Sequence, residues 1–164
     1  MQMDMHKVHI LAILRLTHAA IAALLPRQRG GVINVSSVAA FMPGHTSYSS
    51  TKAWINSFTE CLHLELKSIG SAVRVQALCP GFTLTEFHDL LGLDRDKLIG
   101  NRNYWLAADF VAAESLKGLE QGRWLVVPSW RYRLIVFFLK HLPRFALHLI
   151  CVQVARKREL ASRR

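Results

Sequence analysis

"VINVSS", residues 32–37, puts three β-branched residues into four positions and ends in two serines. A short apolar run without polar alternation is the pattern of a strand covered on both faces. "AVRVQALC" at 72–79 and "RWLVVP" at 123–128 have the same character. Helix-length segments separate them. "MHKVHILAILRLTHAAIAALL" at 5–25 has the helix formers of a long, mostly buried helix, which "PRQRGG" at 26–31 stops. "YSSTKAWINSFTECLHLELKSI" at 48–69 is a second helix, with Trp54, Phe58, Cys61, Leu62 and Glu65 on one stripe and Gly70 as its cap. "AADFVAAESLKGLE" at 107–120 is a third. Helices alternating with apolar strands predict an α/β fold with a parallel sheet covered on both faces. In such sheets ligands bind beyond the carboxyl ends of the strands, where Ser36–Ser37 and Pro80–Gly81 stand.

The chain has 164 residues, 51% of them apolar, and a mean hydropathy of +0.20, which exclude disorder. Cys61, Cys79 and Cys151 are an odd, scattered set. They argue against a disulfide framework and for a reducing, cytoplasmic compartment. The net charge of +10 is uneven. Residues 1–122 hold 11 Lys+Arg against 10 Asp+Glu, while 123–164 hold 10 against Glu159 alone. A near-neutral body, 1–130, and a basic amphipathic extension, 131–164, are expected. The extension is broken by Lys140, His141, Pro143 and Arg144, so it offers no transmembrane run of about 20 apolar residues. Helices lying on an anionic membrane surface fit it; a cap on a substrate pocket or a subunit contact is the alternative. Nucleic acid is not expected, because no recognition module accompanies the charge.

"TSYSSTKAW" at 46–54 sets Tyr48 and Lys52 one helical turn apart, on one face. A phenol with an ordinary pKa of about 10 exchanges protons poorly near neutrality. An ammonium about 5 Å away at an effective dielectric of about 20 favours phenolate by roughly 3 kcal/mol, lowering that pKa by about two. By itself such a pair is commonly a solvated helix face. Its neighbours give it meaning.

In order, "INVSSVAAF", "YSSTKAW", "FTECLHLEL" and "VRVQALCPGFTLTEF" resemble the short-chain dehydrogenase/reductase family, classical type, from about residue 5 to residue 130. The resemblance implies the C-terminal part of a Rossmann-like doubly wound parallel sheet and a carbonyl–alcohol interconversion using NAD(P), with NADP expected over NAD. It implies Tyr48 as acid/base and Lys52 as both its electrostatic partner and a ligand of the nicotinamide ribose. It implies Ser37 as the holder of the substrate oxygen, with Ser36 as the alternative. Pro80, Gly81, Thr83 and Thr85 would pass beside the nicotinamide. His9 stands where the family often has an asparagine, and is expected either to relay a proton or to be structural. His6 and His9 lack a third ligand, so no metal is expected. The helix Tyr48–Ile69 is expected to serve a homo-oligomer. Leu90, Leu91, Leu93, Tyr104 and Trp105 would favour an apolar, sterol-like or fatty-acyl substrate.

One departure is large. The nine glycines, at 30, 31, 44, 70, 81, 92, 100, 118 and 122, form no G-x-x-x-G-x-G, the turn that meets a dinucleotide's pyrophosphate in the family. The chain is therefore expected to be a fragment lacking the N-terminal dinucleotide-binding half, about 90–100 residues. A non-catalytic relative that works through its basic extension is the alternative.

Overall fold

A computed structural model describes residues 2–44, 46–86 and 104–162. The first helix, α1, runs Gln2–Arg27, with a π-helical segment at Lys7–Ala12 and a 3-10 turn at Leu25–Arg27. Strand β1 is Gly31–Val35, followed by a 3-10 turn at Val38–Phe41. Helix α2 is Thr46–Ser68, and strand β2 is Arg74–Leu78. Two short strands, β3 at Thr83–Leu84 and β4 at Leu106–Ala107, pair with each other. Helix α3 at Ala108–Glu120 leads to β5 at Leu125–Val126. Helices α4, Trp130–His141, and α5, Arg144–Ser162, complete the order.

The main sheet is parallel in the order β1-β2-β5, with Gly31 opposite Arg74, Val35 opposite Leu78, and Leu78 opposite Val126. Its side chains alternate between two helical layers. Val75 packs with Val73, Ile21 of α1 and Leu66 of α2 on one face. Leu78 and Val126 pack with Val111 of α3 on the other. Of the strand predicted at 123–128, only Leu125 and Val126 enter the ladder.

Both layers also carry buried polar residues. Thr17 donates to Asn34 Oδ1 at 3.0 Å, Asn34 Nδ2 donates to Thr59 at 3.0 Å, and Thr59 donates to the Ile55 carbonyl at 2.7 Å. That chain of bonds stitches α1, β1 and α2 together. On the opposite face Ser115 donates to Gln76 Oε1 at 2.7 Å, and Gln76 Nε2 donates to the Ser115 carbonyl at 3.1 Å. Because each of these groups has a partner, they set register without the penalty of an unpaired buried dipole.

One expectation is corrected. Helix α1 is not mostly buried: Thr17 and Ile21 are its buried residues, while Val8, Leu11, Leu14 and Leu16 are exposed. It packs against β1, β2 and α2 through one narrow stripe. By length and composition α1 is also apolar enough to cross a membrane. On α2 the core stripe is Thr51, Lys52, Ile55, Thr59 and Leu66. Of the stripe read from the sequence, Leu62 packs partly buried against this core, Trp54 and Phe58 stack at 4.9 Å and are half-buried, and Cys61 and Glu65 are exposed. Threonines reach the core because Asn34 and the helix's own carbonyls satisfy their hydroxyls. The α2 helix ends at Gly70, whose φ of 67° suits a residue without Cβ, as Ser71 N–H closes on the Leu66 carbonyl at 3.0 Å.

Candidate active site

The parallel ladder continues past the strands. Ser36 N–H donates to the Leu78 carbonyl at 2.7 Å and Val38 N–H to the Pro80 carbonyl at 3.0 Å. These bonds hold the serine turn and the Pro-Gly loop side by side at the carboxyl end of the sheet. Ser36 is buried and donates to the Lys52 carbonyl at 2.8 Å, which makes it a tie between β1 and α2. Ser37 instead accepts from Ala39 N–H at 3.1 Å, capping the 3-10 turn, and its hydroxyl lies near the Tyr48 side chain. The two adjacent serines thus take different tasks because an extended backbone points them to opposite sides.

Lys52 is 8% exposed, and its Nζ lies 5.6 Å from the centre of the Tyr48 ring. It donates to the Val35 carbonyl at 2.9 Å, and no second acceptor meets it among the described residues. A buried ammonium with donors to spare, beside the crevice at the end of β1, fits the hydroxyls of a nicotinamide ribose. The described residues carry no counterpart for the phosphates of a dinucleotide.

The electrostatics differ from the sequence expectation. Burial raises the Tyr48 pKa above its ordinary 10.0, and the nearby Ser37 hydroxyl opposes this only in part. Burial also lowers Lys52 from 10.5 to about 8. Desolvation penalises the charged form of each, and this outweighs their mutual attraction. The predicted lowering of the phenol by about two is therefore not what the fold produces.

The Lys52 shift has a consequence for stability. Between pH 8 and 10.5 the unfolded chain holds a proton that folded Lys52 has released, so this residue makes stability rise with pH. Cys79, pushed by burial from 9.0 to about 11, acts in the opposite sense above pH 9, and Tyr48 joins it above 10. Urea titrations across this range should find a rise from these groups confined to pH 8–9. Lys52→Met is expected to abolish the rise and to keep the fall above it. An unchanged rise in the variant would mean that Lys52 is not desolvated as described.

His9 sits in the π-helical segment, where the wider turn brings its ring edge-on to Tyr48, with centroids 5.8 Å apart. Its Nδ1 is 3.0 Å from Thr51 Oγ1, and Thr51 donates to the Tyr48 carbonyl at 3.0 Å. Burial, then the charges of Lys52 and His6, lower its pKa below 6.5, so the imidazole is neutral at pH 7. His6 turns away to the Gln2 carbonyl, 2.9 Å off.

The loop after β2 is held by a residue with no signal in the sequence. Tyr132 of α4 accepts from Phe82 N–H at 3.0 Å and donates to the Tyr104 carbonyl at 2.8 Å. Gly81 lies flat on the Tyr132 ring, so that an added Cβ would fall on ring atoms Cζ, Cε1 and Cε2. Trp105 packs on Phe82 with centroids 5.3 Å apart. Thr83 donates to the Gly81 carbonyl at 3.1 Å, and Thr85 is exposed. Leu90, Leu91 and Leu93 lie outside the described residues. Cys79, at the end of β2, is buried and its thiol donates to Asn56 Oδ1 at 3.2 Å.

A family model described as short chain dehydrogenase matches residues 2–96. The very-long-chain 3-oxoacyl-CoA reductase of Rattus norvegicus is 35% identical over 81 residues, 48% of this chain and 25% of that protein. A short-chain dehydrogenase from Burkholderia cenocepacia in complex with NADP superposes with a TM-score of 0.67 at 28% identity, over 88% of this chain and 56% of that one. One from Sphingobium yanoikuyae in complex with NADPH gives 0.66 at 23% identity, over 95% and 54%. The chain thus spans about half the length of these solved structures.

Proposed function

The chain belongs to the short-chain dehydrogenase family, and on that premise we propose that it interconverts a carbonyl and an alcohol at Ser37, Tyr48 and Lys52, with NAD(P) as coenzyme. The observation that carries this reading is the buried Lys52 Nζ 5.6 Å from the centre of the Tyr48 ring, beside the Ser37 turn at the carboxyl end of a parallel sheet. Bound nicotinamide supplies or accepts the hydride. Tyr48, its proton held tightly by burial, gives that proton to the carbonyl oxygen as the oxygen gains electrons, leaving an alcohol. Ser37 donates a neutral hydrogen bond to the same oxygen. Lys52 holds the ribose, and its charge at pH 7 stabilises the phenolate left behind. His9, neutral and edge-on to the phenol, is the group that relays a proton back to it. Pro80, Gly81, Thr83 and Thr85 form the wall beside the coenzyme.

The aromatic cluster of Phe82, Tyr104 and Trp105 supports an apolar substrate, and a fatty-acyl carbonyl is the class we assign, in line with the rat relative's name. The half-buried Trp54–Phe58 pair supports a homo-oligomer through the outer face of α2, in a cytoplasmic protein. A second reading is a non-catalytic family member. Titration of the chain with NADPH and with NADH, following coenzyme fluorescence, separates the two. Saturable binding that is lost in Lys52→Met supports the catalytic reading; a flat response with both coenzymes overturns it.

A further inference from the structure

Helix α4 has two faces. Tyr132, Val136 and the half-buried Leu139 pack on the body, and Lys140 lies 5.1 Å above the Phe41 ring. The opposite face exposes Leu134, Phe137 and Phe138, at 47%, 53% and 59%. Helix α5 buries Leu147 and exposes Phe145, Leu149 and Val152, at 70%, 62% and 48%. Each outward set recurs at three- and four-residue intervals, which makes a continuous apolar stripe along its helix. Aromatic and aliphatic side chains in such numbers on one surface mark a docking site.

Charge identifies the occupant. Of the residues from 123 onward, 10 are Lys or Arg and one is acidic. A second copy of this chain would bring the same excess of cations to the contact and be repelled. An anionic bilayer offers both acyl chains for the stripe and negative headgroups for the cations. The geometry excludes a straight span by this pair. The two helices bend by 120° at Leu142–Pro143, and the 12 residues of α4 reach about 18 Å against a hydrocarbon core of about 30 Å.

We propose that the α4–α5 hairpin lies in the headgroup region of an anionic membrane, with Phe137, Phe138 and Phe145 entering the acyl boundary. Tyr132, on the inner face of α4, grips Phe82 and Tyr104. Docking therefore brings Phe82 and Tyr104 close to the membrane surface, where a lipid-borne substrate arrives. The docking holds whether or not the site turns over, so coenzyme binding and vesicle binding fail independently.

The test is sedimentation of the full chain with phosphatidylcholine vesicles and with vesicles containing about 30% phosphatidylserine. Binding to the anionic vesicles is expected to be tighter by about tenfold or more and to weaken with salt. A Phe137→Ser/Phe138→Ser/Phe145→Ser variant, changed only at exposed positions, is expected to lose most of it while keeping the parent's circular dichroism. Trp130, 63% exposed, provides a readout that needs no folding control. Its emission should shift to the blue with anionic vesicles, and the shift should vanish in Trp130→Phe. Equal binding to neutral vesicles, full binding by the triple variant, or dimerisation through this stripe in the absence of lipid would each overturn the proposal.

Discussion

Tyr48→Phe is expected to lower turnover of an apolar ketone by about a thousandfold, within the range for losing a positioned general acid. The ring remains to fill its place beside His9 and Lys52, so the fold and the coenzyme site should be nearly unaffected. The loss should therefore appear in kcat, with coenzyme affinity within about twofold of the parent. Two details sharpen this. Burial holds the Tyr48 proton more tightly than in water, so the phenol is fully protonated at pH 7 and poised for reduction. Lys52, at about 8, keeps its charge at neutrality and loses it in mild alkali, so parent activity should decline above pH 8. A variant with the parent's rate would remove Tyr48 from the chemistry.

Gly81→Ala is expected to destabilise the protein by about 3 kcal/mol, the upper end for forcing an extra carbon into a packed site. For a chain of this size that is a fall in Tm of about 6–12 °C. No rotamer relieves the clash, because a Cβ has none: either the Tyr132 ring or the loop backbone must move. Moving the ring breaks its bonds to Phe82 and Tyr104 and lifts α4 from the body. Tyr132→Ala also destabilises, by opening a cavity and removing the hydroxyl that accepts from Phe82 N–H. In the double variant the new methyl occupies the space the ring has left. The combined loss should fall short of the sum by more than about 1 kcal/mol. Strict additivity would show that Gly81 and Tyr132 do not share this contact.

The sheet was legible because its strands are apolar without alternation and the helices between them have ordinary stops. The order of motifs pointed to the serine turn, the Tyr48 helix and the Pro-Gly loop, and these converge on one end of the sheet. Other features had no local signal. The core stripe of α2 was not legible from hydrophobicity, because Thr51 and Thr59 are buried through bonds that depend on Tyr48, Ile55 and Asn34. Tyr132 looked like part of a basic tail, since its partners lie 28 and 50 residues away. The electrostatic expectation failed because a pairwise charge argument omits the cost of taking both groups out of water.

Cys79 gives the molecule an internal clock. Cys61 is exposed and Cys151 half-exposed, so an alkylating reagent added to the folded chain reaches both. The Cys79 thiol is shut away with its proton held up to a pH of about 11, bonded to Asn56 of α2 from the end of β2. It cannot react until the seam between that helix and that strand parts. The arrival of the third label, read as a step in mass, therefore counts the moments at which the floor of the candidate site comes open.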